Sequence, residues 1–325
     1  MKAMQVVGPR IFELVQVPMP SIDKSDTDSV LVRSEWAALC GSDIPFYTGN
    51  KRFREYPMPP GAPIHECVGE VIESANENFR PGDKVLAIPD ENKGLAEYFL
   101  ARSSKAVVLP GSLEDYASAC LIQPLATVMN AIDRLGHIRG KSVGIVGLGP
   151  MGLLLCWYAS QKGAGSITGI DPCRDRCDMA QALGAAKTIT GRGIEVVHDA
   201  RRSREVWDSP DICIEAVGHQ PQTINDCLEL VRKYGTVVAF GVPDQTVYAL
   251  EYEIFFRQNA LLMATVTPDW ADYLGRARDL YLQTIQALAP LATPRMPIGN
   301  AAEAYRMYER HAEGVFKIIL DVRIW

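Results

Sequence analysis

Residues 1–124 are written in short apolar runs rich in β-branched side chains, at 30–34, 67–72 and 84–88, and Pro57, Pro59, Pro60, Gly61, Pro81 and Gly82 punctuate them. That rhythm predicts a compact, barrel-like all-β domain. Beyond Pro124 the period changes. Residues 125–135 carry apolar positions at helical spacing, and 141–168 read as strand, glycine turn, apolar helix and second strand. Further strands are predicted at 211–217 and 236–242, with a helix over 222–231 between them. Strands alternating with helices predict a doubly wound parallel α/β sheet. After Pro268 the pattern is helical again over 270–288, and 315–322 is a last apolar strand. The chain is therefore expected to fold as an α/β domain, residues 125–267, inserted into a β-rich domain made of residues 1–124 and 268–325.

Composition narrows the class. The 325 residues are 47% hydrophobic and 22% charged, enough apolar material for two cored domains. The formal net charge of −6 argues against nucleic acid as a partner, which calls for a basic face. The first residues hold no apolar signal region, and no run reaches the length of a membrane span. Eight irregularly spaced cysteines do not make a disulfide framework, so a reducing, cytoplasmic setting is expected. Cys173 and Cys177 lack two further ligands nearby and are not read as a metal site.

The glycine turn is Gly147-Leu148-Gly149-Pro150-Met151-Gly152, a G-x-G-x-x-G that leaves a strand and opens a helix. Gly147 permits the tight turn, Gly149 lets backbone approach a pyrophosphate, and Gly152 allows close helix–strand packing. The helix start at Pro150 and Met151 faces the phosphates. About 20 residues on, Asp171 ends the next strand, where a carboxylate accepts hydrogen bonds from a ribose and repels a 2′-phosphate. NAD is therefore favoured over NADP, although Arg174 and Arg176 could reach such a phosphate. Val217, Gly241 and Val242, at the ends of later strands, are expected to line the nicotinamide side.

Cys40, His65 and Glu66 supply sulfur, nitrogen and oxygen donors, a partial shell suited to one zinc ion. Cys40 precedes a turn-forming Gly41. His65 and Glu66 stand where a proline- and glycine-rich approach meets an apolar strand.

Leu39-Cys40-Gly41-Ser42-Asp43, His65-Glu66-Cys67-Val68-Gly69-Glu70-Val71, Pro81-Gly82-Asp83-Lys84-Val85, Gly94-Leu95-Ala96-Glu97-Tyr98, Gln123-Pro124-Leu125-Ala126, the glycine turn and Gly314-Val315-Phe316-Lys317-Ile318-Ile319-Leu320 occur in that order. Through them the chain resembles the zinc-dependent medium-chain dehydrogenases/reductases of the alcohol dehydrogenase superfamily, on the sorbitol, threonine and glucose dehydrogenase branch. The resemblance implies a Rossmann domain inserted in a GroES-like β-barrel catalytic domain. It implies Cys40 and His65 as zinc ligands, Glu66 as ligand or movable neighbouring carboxylate, and Ser42 as the relay for the substrate's hydroxyl proton. It further implies reversible oxidation of a small-molecule alcohol to a carbonyl, and assembly as a homodimer or homotetramer. The apolar stretch 260–263 is a candidate interface.

Three departures from the family pattern stand out. Gln123 fills a position held by Cys or Glu; its amide oxygen could bind zinc, hold a water beside it, or do neither. The cysteine-rich lobe of a structural zinc is missing, so no structural zinc is expected. Pro45 and Phe46 stand where many relatives carry a proton-passing histidine after the relay hydroxyl, and Tyr47 is the candidate substitute. Lys51, Arg52 and Arg54 place three cations in four residues, either a solvated loop or a receiver for an anionic polar substrate. On the latter reading, neutralising all three raises KM for anionic alcohols and spares neutral ones; equal losses on both would dismiss it. Two other readings compete: a zinc-free enoyl or quinone reductase of the same superfamily, and a non-catalytic nucleotide-binding homologue. Cys40, His65 and Glu66 together weigh against the first, and only Gln123 leans toward the second.

Overall fold

A computed structural model describes residues 1–23, 25–50, 55–203 and 207–325. These residues form two compact units, Met1–Ala126 with Asp269–Trp325, and Thr127–Pro268. In the first unit β1 (Lys2–Gly8) and β2 (Ile11–Gln16) make an antiparallel hairpin. Then follow β3 (Ser29–Ala38), α1 (Ile44–Thr48), β4 (Glu66–Ser74), β5 (Lys84–Ala87), β6 (Tyr98–Arg102) and β7 (Ala106–Val108), and α2 (Ile122–Leu135) starts in the first unit and ends in the second. β3 is long because its apolar residues Val30, Val32 and Ala37 all reach the core, alongside Val71, Phe99 and Leu320. Its antiparallel register with β4 sets Ala38 opposite Glu66 and Ala37 opposite Cys67. That register brings Cys40, just past the end of β3, to His65, just before the start of β4.

The second unit alternates strands and helices: β8 (Ser142–Val146), α3 (Pro150–Gln161), β9 (Ser166–Asp171), α4 (Arg174–Ala182), β10 (Lys187–Thr190), α5 (Gly193–Arg202), β11 (Ile212–Glu215), α6 (Gln222–Leu230), β12 (Thr236–Ala239), α7 (Tyr252–Gln258) and β13 (Leu261–Ala264). The strands lie in the order β10-β9-β8-β11-β12-β13, each pair parallel. The chain runs outward from β8 to β10, then crosses back to β11 and runs the other way. β8 and β11 therefore flank a topological switch point, the place where open α/β sheets bind ligands at their carboxyl ends. β11 is buried along its whole length, as parallel strands covered on both faces are. The core of this unit gathers Val146, Ile170, Trp207, Cys213, Leu228 and Val237.

The chain then returns to the first unit through α8 (Trp270–Leu288), β14 (Arg295–Pro297), α9 (Ala301–Glu309) and β15 (Ile319–Asp321). β15 pairs antiparallel with β3, Ile319 opposite Ala38, in a sheet ordered β14-β15-β3-β4-β5-β7 with β6 also on β3.

Several strands are shorter than the apolar runs suggest. The run 315–322 becomes strand only at Ile319 because Lys317 gives its N–H to the carbonyls of Leu291 and Thr293. The runs 211–217 and 236–242 stop at Glu215 and Ala239; past those residues the N–H groups of Val217, Gly218 and Gly241 turn to the Glu215 carboxylate. The segment holding α4, β10 and α5 is largely polar and half exposed, so its elements leave little apolar period to read.

Candidate functional site

The donors meet where β3, β4 and β15 come together. Cys40 precedes a single 3₁₀ turn, Gly41–Asp43, and the buried Asp43 carboxylate organises both sides of it. One oxygen accepts the Cys40 N–H at 2.9 Å, and the other lies 3.3 Å from His65 Nδ1. With Nδ1 facing a carboxylate, the opposite ring nitrogen is the one such a pair leaves for a metal. The ligand atoms of Cys40, His65 and Glu66 lie within 4.8 Å of one another. Burial by itself would lower the His65 pKa, but Asp43 and Cys40 raise it well above the ordinary imidazole value.

Glu66 has a partner from far along the chain. Lys317, two residues before β15, donates Nζ–H to Oε1 at 2.7 Å and lies 2.5 Å from Oε2; both side chains are about 1% exposed. Burial pushes the Glu66 carboxyl up, and Lys317 pulls it back. For Lys317, burial works against the charge, yet Glu66 and Cys40 raise its pKa overall. A lysine among the apolar residues 315–320 is the signal in the sequence, because an unpaired buried lysine is rare. Asp43 was visible as part of a motif, but its role needed the fold.

Thiolate, imidazole and carboxylate brought into one shell, with a second carboxylate behind the histidine and a lysine offsetting charge behind the glutamate, fit zinc. Ser42 sits half-buried on the same 3₁₀ turn, beside Cys40. Gln123 is buried on the first turn of α2. Tyr47 does not serve as a proton route. It is fully buried, stacked on Phe12 with ring centroids 5.6 Å apart, and its hydroxyl faces the Ala302 carbonyl. Lys51, Arg52 and Arg54 lie outside the described residues. Cys173 and Cys177 join no group of three metal-binding donors among the described residues.

The glycine turn links β8 to α3. A side chain at Gly152 would set its Cβ 1.9 Å from the Gly147 carbonyl oxygen, so helix and turn touch backbone to backbone. Gly147 adopts φ 94°, open to glycine. A Cβ at Gly149 would meet nothing within 4 Å. That clear approach leads to the start of α3, where Pro150 occupies the first helical position and amide groups of the first turn lack helical acceptors. Asp171, at the end of β9, is buried. Its carboxylate accepts from Leu148 N–H and Cys173 N–H, both at 2.8 Å, so it also holds the turn in place. Arg176 is buried on α4 with Nη1 4.0 Å from the same carboxylate, while Arg174 pairs with Asp178. Val217 and Val242 are exposed at the carboxyl ends of β11 and β12, beside Gly241.

A parallel sheet carrying a dinucleotide turn, together with a unit carrying a Cys–His–Glu cluster, defines the class of metal-dependent, dinucleotide-linked dehydrogenases. Residues 26–131 match the alcohol dehydrogenase GroES-like domain, and residues 150–279 match the zinc-binding dehydrogenase domain. The chain belongs to the zinc-dependent alcohol dehydrogenase family of medium-chain dehydrogenases/reductases. It is 28% identical to a sorbitol dehydrogenase of Bacillus subtilis over 280 aligned positions, covering 75% of this chain and 76% of the relative. It is also 28% identical to a sorbitol dehydrogenase of Bombyx mori, with 97% of each chain covered. In fold it is similar to an alcohol dehydrogenase of Thermus sp. ATN1, at a TM-score of 0.82, 22% identity and 99% coverage of both chains. No helix among the described residues is long and apolar enough to cross a membrane.

Proposed function

We propose that this protein catalyses the reversible oxidation of a polar secondary alcohol of the polyol class to a carbonyl, with NAD as cofactor and one catalytic zinc. The observation that carries the proposal is the convergence of Cys40, His65 and Glu66 in a chain that also bears the glycine turn. Zinc supplies a Lewis acid that lowers the alcohol's pKa, and the nicotinamide supplies a hydride acceptor. In this reading Cys40 and His65 hold the metal and Asp43 orients His65. Glu66 ligates or stands behind the metal, with Lys317 fixing its carboxylate. Gln123 is assigned to the remaining position. Ser42 takes the hydroxyl proton, since a hydroxyl both accepts and donates. The Asp171 carboxylate, at the end of β9, favours NAD over NADP. The similarity to sorbitol dehydrogenases supports a polyol as substrate. The test is NADH formation across polyols, aldoses, amino alcohols and phosphorylated alcohols, on protein of measured zinc content. About one zinc per chain with turnover of at least one polyol is expected. Turnover only of activated alkenes by metal-free protein would sink the reading.

The unit holding the glycine turn is assigned a second copy as its partner. Its sheet has two edges among the described residues. β10 guards one with exposed Lys187 and Thr190, whereas β13 offers exposed Leu261 and Leu262, continuous in type with exposed Tyr252 and Phe256 on α7. Charged edges resist pairing and apolar edges invite it. A two-fold axis that pairs β13 with β13 makes such a surface self-complementary. Leu261→Lys with Leu262→Lys is expected to halve the mass measured by light scattering; an unchanged mass refutes the assignment. The setting is taken as cytoplasmic, in keeping with eight free cysteines.

A further inference from the structure

We infer that Glu215 is a positioning residue for the nicotinamide half of the dinucleotide site, which it sets without touching the ligand. The inference rests on the dinucleotide reading above and deepens it. Glu215 ends β11 after Ile212, Cys213 and Ile214, and is 4% exposed. A carboxylate in such a place is costly unless its acceptor capacity is filled. Here it is filled by groups from three segments. One oxygen takes the N–H of Val217 at 2.9 Å, the N–H of Gly218 at 2.8 Å and the hydroxyl of Thr223, on α6, at 2.9 Å. The other takes the N–H of Gly241, past β12, at 3.2 Å. The Glu215 main-chain carbonyl adds the N–H groups of Phe240 and Gly241, and His219 N–H closes a second tie to the Val242 carbonyl at 2.8 Å.

These ties clamp two loops together with no slack. A Cβ at Gly218 would lie 2.7 Å from backbone atoms of Val242, and one at Gly241 would lie 2.3 Å from the Gly218 nitrogen. The same loop walls the glycine turn, since a Cβ at Gly147 would lie 2.7 Å from Val217 Cγ2. Strand order decides which half of the ligand is affected. A dinucleotide with its pyrophosphate on the turn after β8 and its adenosine ribose at Asp171 on β9 places its other half over β11 and β12. Glu215 therefore sets the height and spacing of Val217, Gly218, Gly241 and Val242 under that half.

Glu215→Gln keeps the volume but turns an NH₂ toward at least one of the donors. It is expected to raise the Kd for NADH about tenfold, the loss of roughly one charge-assisted hydrogen bond. The Kd for AMP, which occupies only the adenosine half, is expected to stay within about twofold of wild type. Thr223→Val removes a single donor and is expected to shift NADH alone, by about two- to threefold. Isothermal titration of both nucleotides reads the NADH-to-AMP ratio, which general loosening of the unit does not move. Equal losses for the two nucleotides, or unchanged NADH binding, overturn the inference. Should Glu215→Gln fail to fold, the ratio for Thr223→Val decides by the same criterion. Wild-type protein that binds neither nucleotide overturns the dinucleotide reading itself, and this inference with it.

Discussion

Cys40→Ser is expected to yield a protein that purifies without zinc and turns over alcohols with kcat/KM lowered on the order of 10³-fold or more. Serine keeps the shape of the residue but replaces a soft thiolate with a neutral hydroxyl, a poor donor for zinc at neutral pH. The local fold does not depend on the sulfur. Asp43 holds this turn through the Cys40 backbone N–H, which the substitution leaves in place. NADH affinity is expected to remain within about twofold of wild type, because the substitution leaves the glycine turn and Asp171, the residues assigned to the dinucleotide, unchanged. Elemental analysis, steady-state kinetics and nucleotide titration on one preparation check all three statements. A variant that retains both zinc and rate would show that the metal, if bound, is not held by Cys40.

Lys317→Met is expected to cost about 3–5 kcal/mol of folding stability. Methionine preserves much of the length and apolar volume of the lysine stem, so packing changes little. What changes is charge: the Glu66 carboxylate, about 1% exposed, loses its only ion-pair partner among the described residues. Burial already pushes the Glu66 pKa up, and Lys317 is what opposes it. Without the lysine the carboxyl takes up a proton more readily and becomes a poorer ligand. Denaturant unfolding of wild type, Lys317→Met, Glu66→Gln and the double variant gives the coupling directly. The double variant is expected to recover most of the stability lost by Lys317→Met, because it removes the stranded charge. A Lys317→Met protein as stable as wild type, or a double variant that recovers nothing, would mean that this pair does not couple as the geometry indicates. Zinc content is expected to fall in Lys317→Met but less completely than in Cys40→Ser.

Much of the architecture could be read from local pattern. The switch from β-branched runs to alternating strands and helices near Pro124 separates the two textures, and the helix over 270–288 has the same bounds in the structure. Where local pattern overran, the reason is a hydrogen bond that local pattern does not carry. Apolar residues continue past Glu215 and past Ala239, but the N–H groups of Val217, Gly218 and Gly241 turn to the Glu215 carboxylate, where both strands end. Tyr47 looked available for proton transfer because a tyrosine just after the relay serine reads as part of the site. Stacking on Phe12 and packing against Tyr305 place it in the core instead.

The sequence by itself determined the reaction class, because donor chemistry and the glycine turn are properties of residue type and short spacing. Cys40, His65 and Glu66 are donors suited to a soft-to-borderline metal, G-x-G-x-x-G between strand and helix with Asp171 ending the next strand suits a dinucleotide, and the ordered motifs shared with zinc-dependent dehydrogenases join the two in one reaction. Only the tertiary structure decided what holds those groups in place. The β3–β4 register brings Cys40 to His65, the β15–β3 pairing delivers Lys317 to a glutamate 251 residues away, and β11 beside β12 lets one carboxylate join two loops. These partners are charged side chains whose roles exist only once water is excluded around them. Burial makes an unpaired charge costly, and which charge pairs with which is set by strand register across the whole chain.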